Sequence, residues 1–480
     1  MREMKGWKLC LGVWALASLT VQIEGRSQES RRPERPNIVF LLADDLGRAD
    51  VGWEGGKLKT PNLDGLAASG ARLSQFYVQP VCSPTRAALM TGRYPMRHGL
   101  QVGVVRPWAQ YGLPLEERTL PKALHEAGYE TAIVGKWHLG HFQPDYLPTR
   151  RGFEHQYGHY NGALDYYTHE RDGGFDWHRD DRAARDEGYS THLLGAEAVK
   201  RIRERDPKRP LFLYVPFNAV HAPHQVPENY KQEFADVPEP RRTYAGMLKA
   251  MDEAVGKILG ALDDTGMRRD TLVIFSSDNG GPAPGRVTSN GPFRAGKGTL
   301  YEGGVRVCAC VSWPGKIRAK STMDQPFHMV DWYPTLLKLA GARAEQPLRP
   351  DGRDVWGALA DGKSLEVRPI LLNTTPNAGA VRVGDWKLVV NGAGGAGMDG
   401  EGAEEPAPQR RRRAVGVAPG PELFNLADDP YEKNNLASSR PDKLKELREA
   451  LDKLAAQAAP PRSRPRPAGF KNPAVWGESP

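Results

Sequence analysis

NIVFLLADDLG, residues 37–47, is a near-continuous apolar run closed by two adjacent carboxylates. A run without polar alternation suits a strand buried on both faces rather than one half in water. Thr131 to Val134, Leu211 to Phe217 and Thr271 to Phe275 share that texture. Helical patterns separate them. TLPKALHEAGYE opens at Thr119 with a cap-type residue and an early proline and stops at Gly128, and Tyr244 to about Leu262 carries the stripe Met247, Met251, Val255, Ile258 and Leu262. Strand and helix in alternation predict an α/β architecture, a central and mostly parallel sheet between helices. Ligands of such sheets bind beyond the carboxyl ends of the strands. The polar clusters fall there: Asp44 and Asp45 after the first run, Lys136 and His138 after the second, His221 after the third, Asp278 and Asn279 after the fourth.

A chain of 480 residues outgrows a single core. Arg2, Lys5 and Lys8 ahead of the apolar Leu9 to Val21 read as a signal peptide over 1–25, too short to span a membrane, followed by a polar linker at 26–35. No later segment reaches spanning length. The catalytic domain is expected over 36–362. Over 363–458, short strands such as VRVGDWKLVV and ELFNLADDP precede the charged helix DKLKELREALDKLAAQ, which predicts a smaller C-terminal α+β domain with an antiparallel sheet. Residues 392–421 read as a disordered insertion and 459–480 as a Pro/Arg-rich tail. Arg410 to Arg413 with Arg462, Arg464, Arg466 and Lys471 equal the whole net charge of +8, so the basic balance (66 against 58) is read as solvated tails and not as a nucleic-acid surface. Four cysteines, Cys10 among them in the presumed signal, do not build a disulfide fold, and Cys308 and Cys310 share one strand face as core residues.

Asp44, Asp45, Asp278 and Asn279 are hard oxygen donors that suit calcium or magnesium better than zinc, although an Asp-Asp pair after a strand also caps helices. CSPTR at 82–86 joins Cys82, Pro84 and Arg86 at the start of the helix TRAALMTG, where amides and positive potential favour an anion. By itself Cys82 is either a thiol nucleophile or a packed core group. Lys297 lies in the glycine-rich FRAGKGTLYEGG. Arg86, Lys136, His138, His221 and Lys297 beside a divalent metal imply a sulfate or phosphate group on the substrate.

These motifs resemble the type I sulfatases, whose CxPxR cysteine becomes Cα-formylglycine. LLADDLG, CSPTR, GKWHLG, HAPH, SSDNGG, AGKGTLYEGGVR and LFNLADDPYEKNNLA stand in that family's order across most of 36–440. LPTRRGFEHQYGHYNGALDYYTHE and YAGMLKAMDEAVG look most like the arylsulfatase B, or N-acetylgalactosamine-4-sulfatase, branch. The resemblance implies an alkaline-phosphatase-like large domain and one Ca2+ per chain on Asp44, Asp45, Asp278, Asn279 and the modified Cys82. It implies Arg86, Lys136 and Lys297 around the sulfate, a formylglycine hydrate as nucleophile, a sulfo-enzyme intermediate, His221 as the acid for the leaving alkoxide and His138 as the base that regenerates the aldehyde. A formylglycine-generating enzyme would be a maturation partner, and a sulfated carbohydrate, 4-O-sulfated N-acetylgalactosamine of chondroitin or dermatan type, the substrate. Few cysteines and one sequon, Asn373-Thr374-Thr375, suggest an exported bacterial enzyme, periplasmic or secreted, rather than a lysosomal one. GFDWHRDDRAARDEG departs from that branch, and Tyr166, Tyr167 and His169 are candidates for a glycan subsite or for simple packing. Other readings are a sulfatase on other polysaccharides or aryl sulfates, a phosphonate or phosphate ester hydrolase of the same superfamily, and a noncatalytic binder of sulfated glycans.

Overall fold

All four apolar runs become neighbours in a ten-stranded sheet. A computed structural model describes Met1 and residues 35–394 and 420–478, so the signal-like stretch and Arg410 to Arg413 lie outside the described residues. Thr271–Ser277, Asn37–Ala43, Leu211–Pro216, Glu130–Lys136 and His155–His159 lie side by side and parallel. Antiparallel strands continue both edges: Ala309–Ser312 beside Thr271–Ser277, and the short pair His178–Arg179 and Arg182–Ala183 beyond His155–His159. Successive residues of a strand point to opposite faces. Ile38, Phe40 and Leu42 therefore enter one core, and Val39, Leu41 and Ala43 the other. Burying a side chain such as Phe40 or Leu41 stabilises by about 1.5–3 kcal/mol, which explains a run with no polar face.

Helices cover both faces. Arg241–Asp264 and Ser190–Glu204 supply Met247, Met251, Ile258, Leu194 and Ile202 to one core, while Cys82–Thr91, Leu120–Glu126 and Trp332–Leu339 serve the other. Thr119 caps its helix as expected, its Oγ1 accepting from the Lys122 amide at 3.4 Å, and Gly128 closes the segment at φ 89°. Cys308 and Cys310 are buried in the core without a disulfide.

Pro369–Thr374, Gly379–Val383, Trp386–Val390 and Pro421–Asn425 form the antiparallel C-terminal sheet, followed by the helix Pro441–Ala455. Its Leu371, Val381, Leu388 and Leu423, with Leu447 and Leu451 of the helix, join the same core as the helices beside the large sheet. Arg35–Pro480 is one compact unit.

Two expectations need correction. The ends of the 392–421 insertion are ordered: Gly392 O accepts from the Leu300 amide at 3.0 Å, and Pro421–Asn425 is a strand. Residues 459–478 keep Arg464, Arg466 and Lys471 exposed, as expected, but are not a free tail. They form a strap, held by Ala459 N to Met96 O, Arg462 N to Gly99 O and Phe175 N to Ala474 O, and by Trp476, which is 2% exposed with its Nε1 donating to Arg171 O. Proline-rich composition predicts irregular backbone correctly; it says nothing about whether that backbone has partners elsewhere.

Candidate active site

The carboxyl ends of the parallel strands bring the polar clusters to one place. Backbone hydrogen bonds lace their loops together: Asp44 N to Ala219 O, Val220 N to Asp44 O and Asp278 N to Ala43 O, at 2.8–3.0 Å. Asp45 and His138 take left-handed backbone, φ 63° and 59°, a conformation that costs a non-glycine residue energy and recurs at functional sites. The helix Cys82–Thr91 begins at Cys82 itself, earlier than the sequence pattern of TRAALMTG suggests, and ends at Gly92 with φ 66°. Cys82 thus occupies the first turn, where amide dipoles favour an anion. Arg86 follows one turn later and is fully buried.

Cations and carboxylates alternate around the cysteine. Cys82 Sγ lies 3.4 Å from Asp44 Oδ1. The Arg86 guanidinium is 2.8 Å from Asp278 Oδ2 and 3.4 Å from Asp44 Oδ2, and also donates to Lys136 O. Lys136 Nζ donates to Asp44 Oδ2 at 2.6 Å, and Lys297 Nζ to Asp45 at 2.7 Å. His221 Nε2 stands 3.6 Å from Asp45 Oδ2. His138 is tied in through its backbone, Ser83 Oγ donating to its carbonyl at 2.9 Å, and through its Nε2, 3.0 Å from Val105 O.

This crowding moves proton affinities. Burial raises the Asp44 carboxyl, but Lys136, His221, Arg86 and Lys297 outweigh it and hold the group well below its usual value. For Asp278, burial and the neighbouring Asp44 charge win over Arg86 and the pKa rises. Burial, with Asp278 and Asp44, pushes the Cys82 thiol far up, which disfavours a thiolate. Burial, Lys297 and Lys136 lower His221 against the opposing pull of Asp45 and Asp44.

The residues fit a divalent cation. Ligand atoms of Asp44, Asp45, Cys82 and His221 lie within 4.8 Å of one another. Asn279 Nδ2 donates to Asp45 Oδ1 at 2.7 Å, while its buried Oδ1 has no hydrogen-bond partner among the described residues. An orphaned amide oxygen among three aspartates is the donor chemistry of a hard cation. His221 joins this cluster although sequence assigned it only a proton-transfer role.

Asp44, Asp45, Cys82, Arg86, Lys136, His138, His221, Asp278, Asn279 and Lys297 come together here; several residues that hold them there were not singled out from sequence. Ser83 bridges the His138 carbonyl and the Val105 amide. Asn290 clamps Gly281 by two hydrogen bonds and reaches Ala295 O, which fixes the loop that carries Lys297. Only the serine of CSPTR carried any signal. Tyr166 and His169 are not subsite residues: both are 1% exposed. Tyr166 Oη sits 2.7 and 2.8 Å from the carbonyls of Asn218 and His221 and so positions His221, while His169 stacks on Trp177. Tyr167 remains exposed. Asn373 of the sequon is buried on a strand, with Nδ2 donating to Gln101 O.

Residues 36–342 match the Sulfatase family model, well over half of the chain. The chain belongs to the sulfatase family. It is 36% identical to mouse arylsulfatase J, over 94% of this chain and 83% of that protein. It is also 36% identical to mouse N-acetylgalactosamine-6-sulfatase, over 74% and 72%. The solved structure of Ps i-CgsB in complex with k-i-k-neocarrahexaose superposes with a TM-score of 0.78 at 32% identity, covering 89% of this chain and 94% of that one. This sulfatase is a sulfuric ester hydrolase of the alkaline-phosphatase-like fold, acting on sulfate esters of glycans or aryl compounds. Its family generally uses formylglycine and a divalent metal. No helix among the described residues is long and apolar enough to cross a membrane.

Proposed function

We propose that this sulfatase removes sulfate from a sulfated amino sugar, with the 4-O-sulfate of N-acetylgalactosamine as the first candidate, using formylglycine made from Cys82 by a maturation enzyme. One observation carries the reading: Cys82 begins a buried helix with Asp44, Asp45 and His221 close about it and Arg86, Lys136 and Lys297 on the surrounding carboxylates. Asp44, Asp45, Asp278, Asn279 and the modified Cys82 would hold Ca2+, whose charge would offset that of the sulfate. Once converted, residue 82 would supply the attacking oxygen as an aldehyde hydrate. Lys136 and Lys297 neutralise sulfate oxygens, and Arg86 keeps Asp44 and Asp278 in place. His221 gives its proton to the departing sugar oxygen, a poor leaving group unless protonated. A proton held on His138 Nε2 by Val105 O leaves Nδ1 as the basic nitrogen. Export from the cell follows from the signal-like N-terminus.

A 6-O-sulfate reading has its own support, since an N-acetylgalactosamine-6-sulfatase is among the 36% identical relatives. The test is sulfate release from 4-sulfated against 6-sulfated N-acetylgalactosamine, by protein whose conversion at Cys82 is verified by mass spectrometry. The 4-sulfate is expected to win by about 100-fold or more. A 6-sulfate preference exchanges the regiochemistry, and silence on both with Cys82 converted removes the amino sugar.

A further inference from the structure

The 459–478 strap creates a surface that the chemistry above does not use. Between Trp108–Tyr111 and Arg462–Pro467 lies an open cavity of about 380 Å³, within the about 300–1,000 Å³ usual for ligand pockets. Arg462 and Arg464 line it. Arg106 and Arg466 stand over the Trp108 ring, each 5.8 Å from its centre. Among the described residues none of these four arginines forms an ion pair with an acidic side chain, unlike Arg48, Arg97, Arg179 and Arg209. Arg464 is exposed, its Nη1 fixed by the strap's own Pro461 and Ser463 carbonyls, so the guanidinium is presented in one orientation with its remaining donors unpaired among the described residues. Arg462 and Arg464 at the cavity, with Arg106 and Arg466 at the Trp108 ring on its edge, are like charges that repel each other, and an anionic ligand relieves that repulsion.

The chain that lines one side of the cavity runs directly from the reaction site. Val105 binds Ser83 beside the nucleophile and accepts from His138, Pro107 O lies 3.2 Å from His141 Nε2, and Trp108 is the next residue. Three residues of chain reach at most about 11 Å. The Trp108 edge of the cavity is therefore close enough to the reaction site for one extended glycan chain to reach both.

We propose that this cavity is a subsite for a second anionic sugar, sulfated or uronic, of an extended glycan chain, so that the enzyme binds longer chains more tightly than the single sulfated sugar it also cleaves. The proposal rests on the carbohydrate reading above and adds the length and charge of the substrate. Arg464 recognises the anionic group, Arg466 assists, and Trp108 holds the arginines apart.

Binding of chondroitin 4-sulfate hexasaccharide and disaccharide is measured by titration calorimetry on wild type, Arg464→Ala, Arg464→Lys and the double variant Arg464→Ala/Arg466→Ala, with 4-nitrophenyl sulfate turnover followed on the same preparations. The hexasaccharide Kd is expected to rise about tenfold in Arg464→Ala and further in the double variant, with partial recovery in Arg464→Lys. Disaccharide binding and aryl sulfate turnover stay within about twofold, which also shows that the variants are folded. An unchanged hexasaccharide Kd overturns the subsite. So does inorganic polyphosphate of equal charge displacing the hexasaccharide equally well from wild type, which would reduce the cavity to general polyanion attraction. Loss of hexasaccharide affinity in the variants, with no release of sulfate from any sugar by the converted wild type, would instead sink the carbohydrate-sulfatase reading and leave the binding site standing.

Discussion

The Cys82 site and the cluster around Lys387 beneath the C-terminal sheet both bury carboxylates against cations. Lys387 Nζ lies 2.8 Å from Glu302 Oε1 and 2.8 Å from Glu432 Oε1, and Tyr77 and Arg306 complete the surroundings of Glu302. Burial alone would raise Glu302; Lys387, Arg306 and Arg382 outweigh it and keep the carboxylate charged. There the charges end long side chains on two layers of the fold, and their work is to join those layers. At the strand ends the carboxylates are short, sit on loops, and surround a thiol and an amide oxygen without a partner. Buried charge by itself does not mark an active site. A reactive group together with an unpartnered buried acceptor oxygen does.

Four experiments test that contrast. Cys82→Ala should lower sulfate release by about 10⁴-fold or more while moving the Tm only slightly; a modest loss of rate would leave the site no different in kind from the Lys387 cluster. Lys387→Met should do the reverse, costing about 3–5 kcal/mol in chemical denaturation because Glu302 and Glu432 are left buried without their cation, with kcat per folded molecule retained. Adding Glu302→Gln and Glu432→Gln should restore part of that loss. His221→Ala should reduce turnover of a sugar sulfate about 100-fold more than that of an aryl sulfate, whose leaving group needs no proton; equal losses would make His221 a ligand or a scaffold residue only. The smallest effect belongs to a third network at the sheet edge. His155 lies 3.0 Å from both Asp180 and Glu197. Burial would lower its pKa, but the two carboxylates raise it. A raised histidine pKa means that the stabilisation is complete below about pH 6.5 and fades as pH climbs through the folded value. His155→Gln should therefore flatten the decline in stability above pH 6.5, by roughly 1 kcal/mol or less.

What could be read early follows from how local each signal is. The strands at 37–43, 130–136, 211–216 and 271–277 declare themselves because burial on both faces forces an unbroken apolar run. His155–His159 belongs to the same parallel set but reads HQYGH, and its burial depends on the chain that covers it. The Lys387 cluster escaped notice because Glu302, Lys387 and Glu432 lie far apart in sequence and resemble ordinary surface residues. The strap escaped because arginine and proline usually mean solvent, whereas here Trp476 is the anchor that a compositional reading hides.

The sequence by itself determined the family, the four apolar strands and which polar clusters would meet at their ends, because each rests on a short pattern: a run of apolar side chains, a cap, or a motif placed just past a strand. Only the tertiary structure decided that His221 stands within reach of the metal-ligand atoms, that Tyr166 positions His221 rather than meeting a sugar, and that the last segment folds back to set Arg462, Arg464 and Arg466 against the Trp108–Tyr111 stretch. Such outcomes depend on contacts between residues up to hundreds of positions apart. No local pattern encodes which distant partner a side chain will meet, since that is fixed when the core closes and each buried polar group takes the partner left within reach.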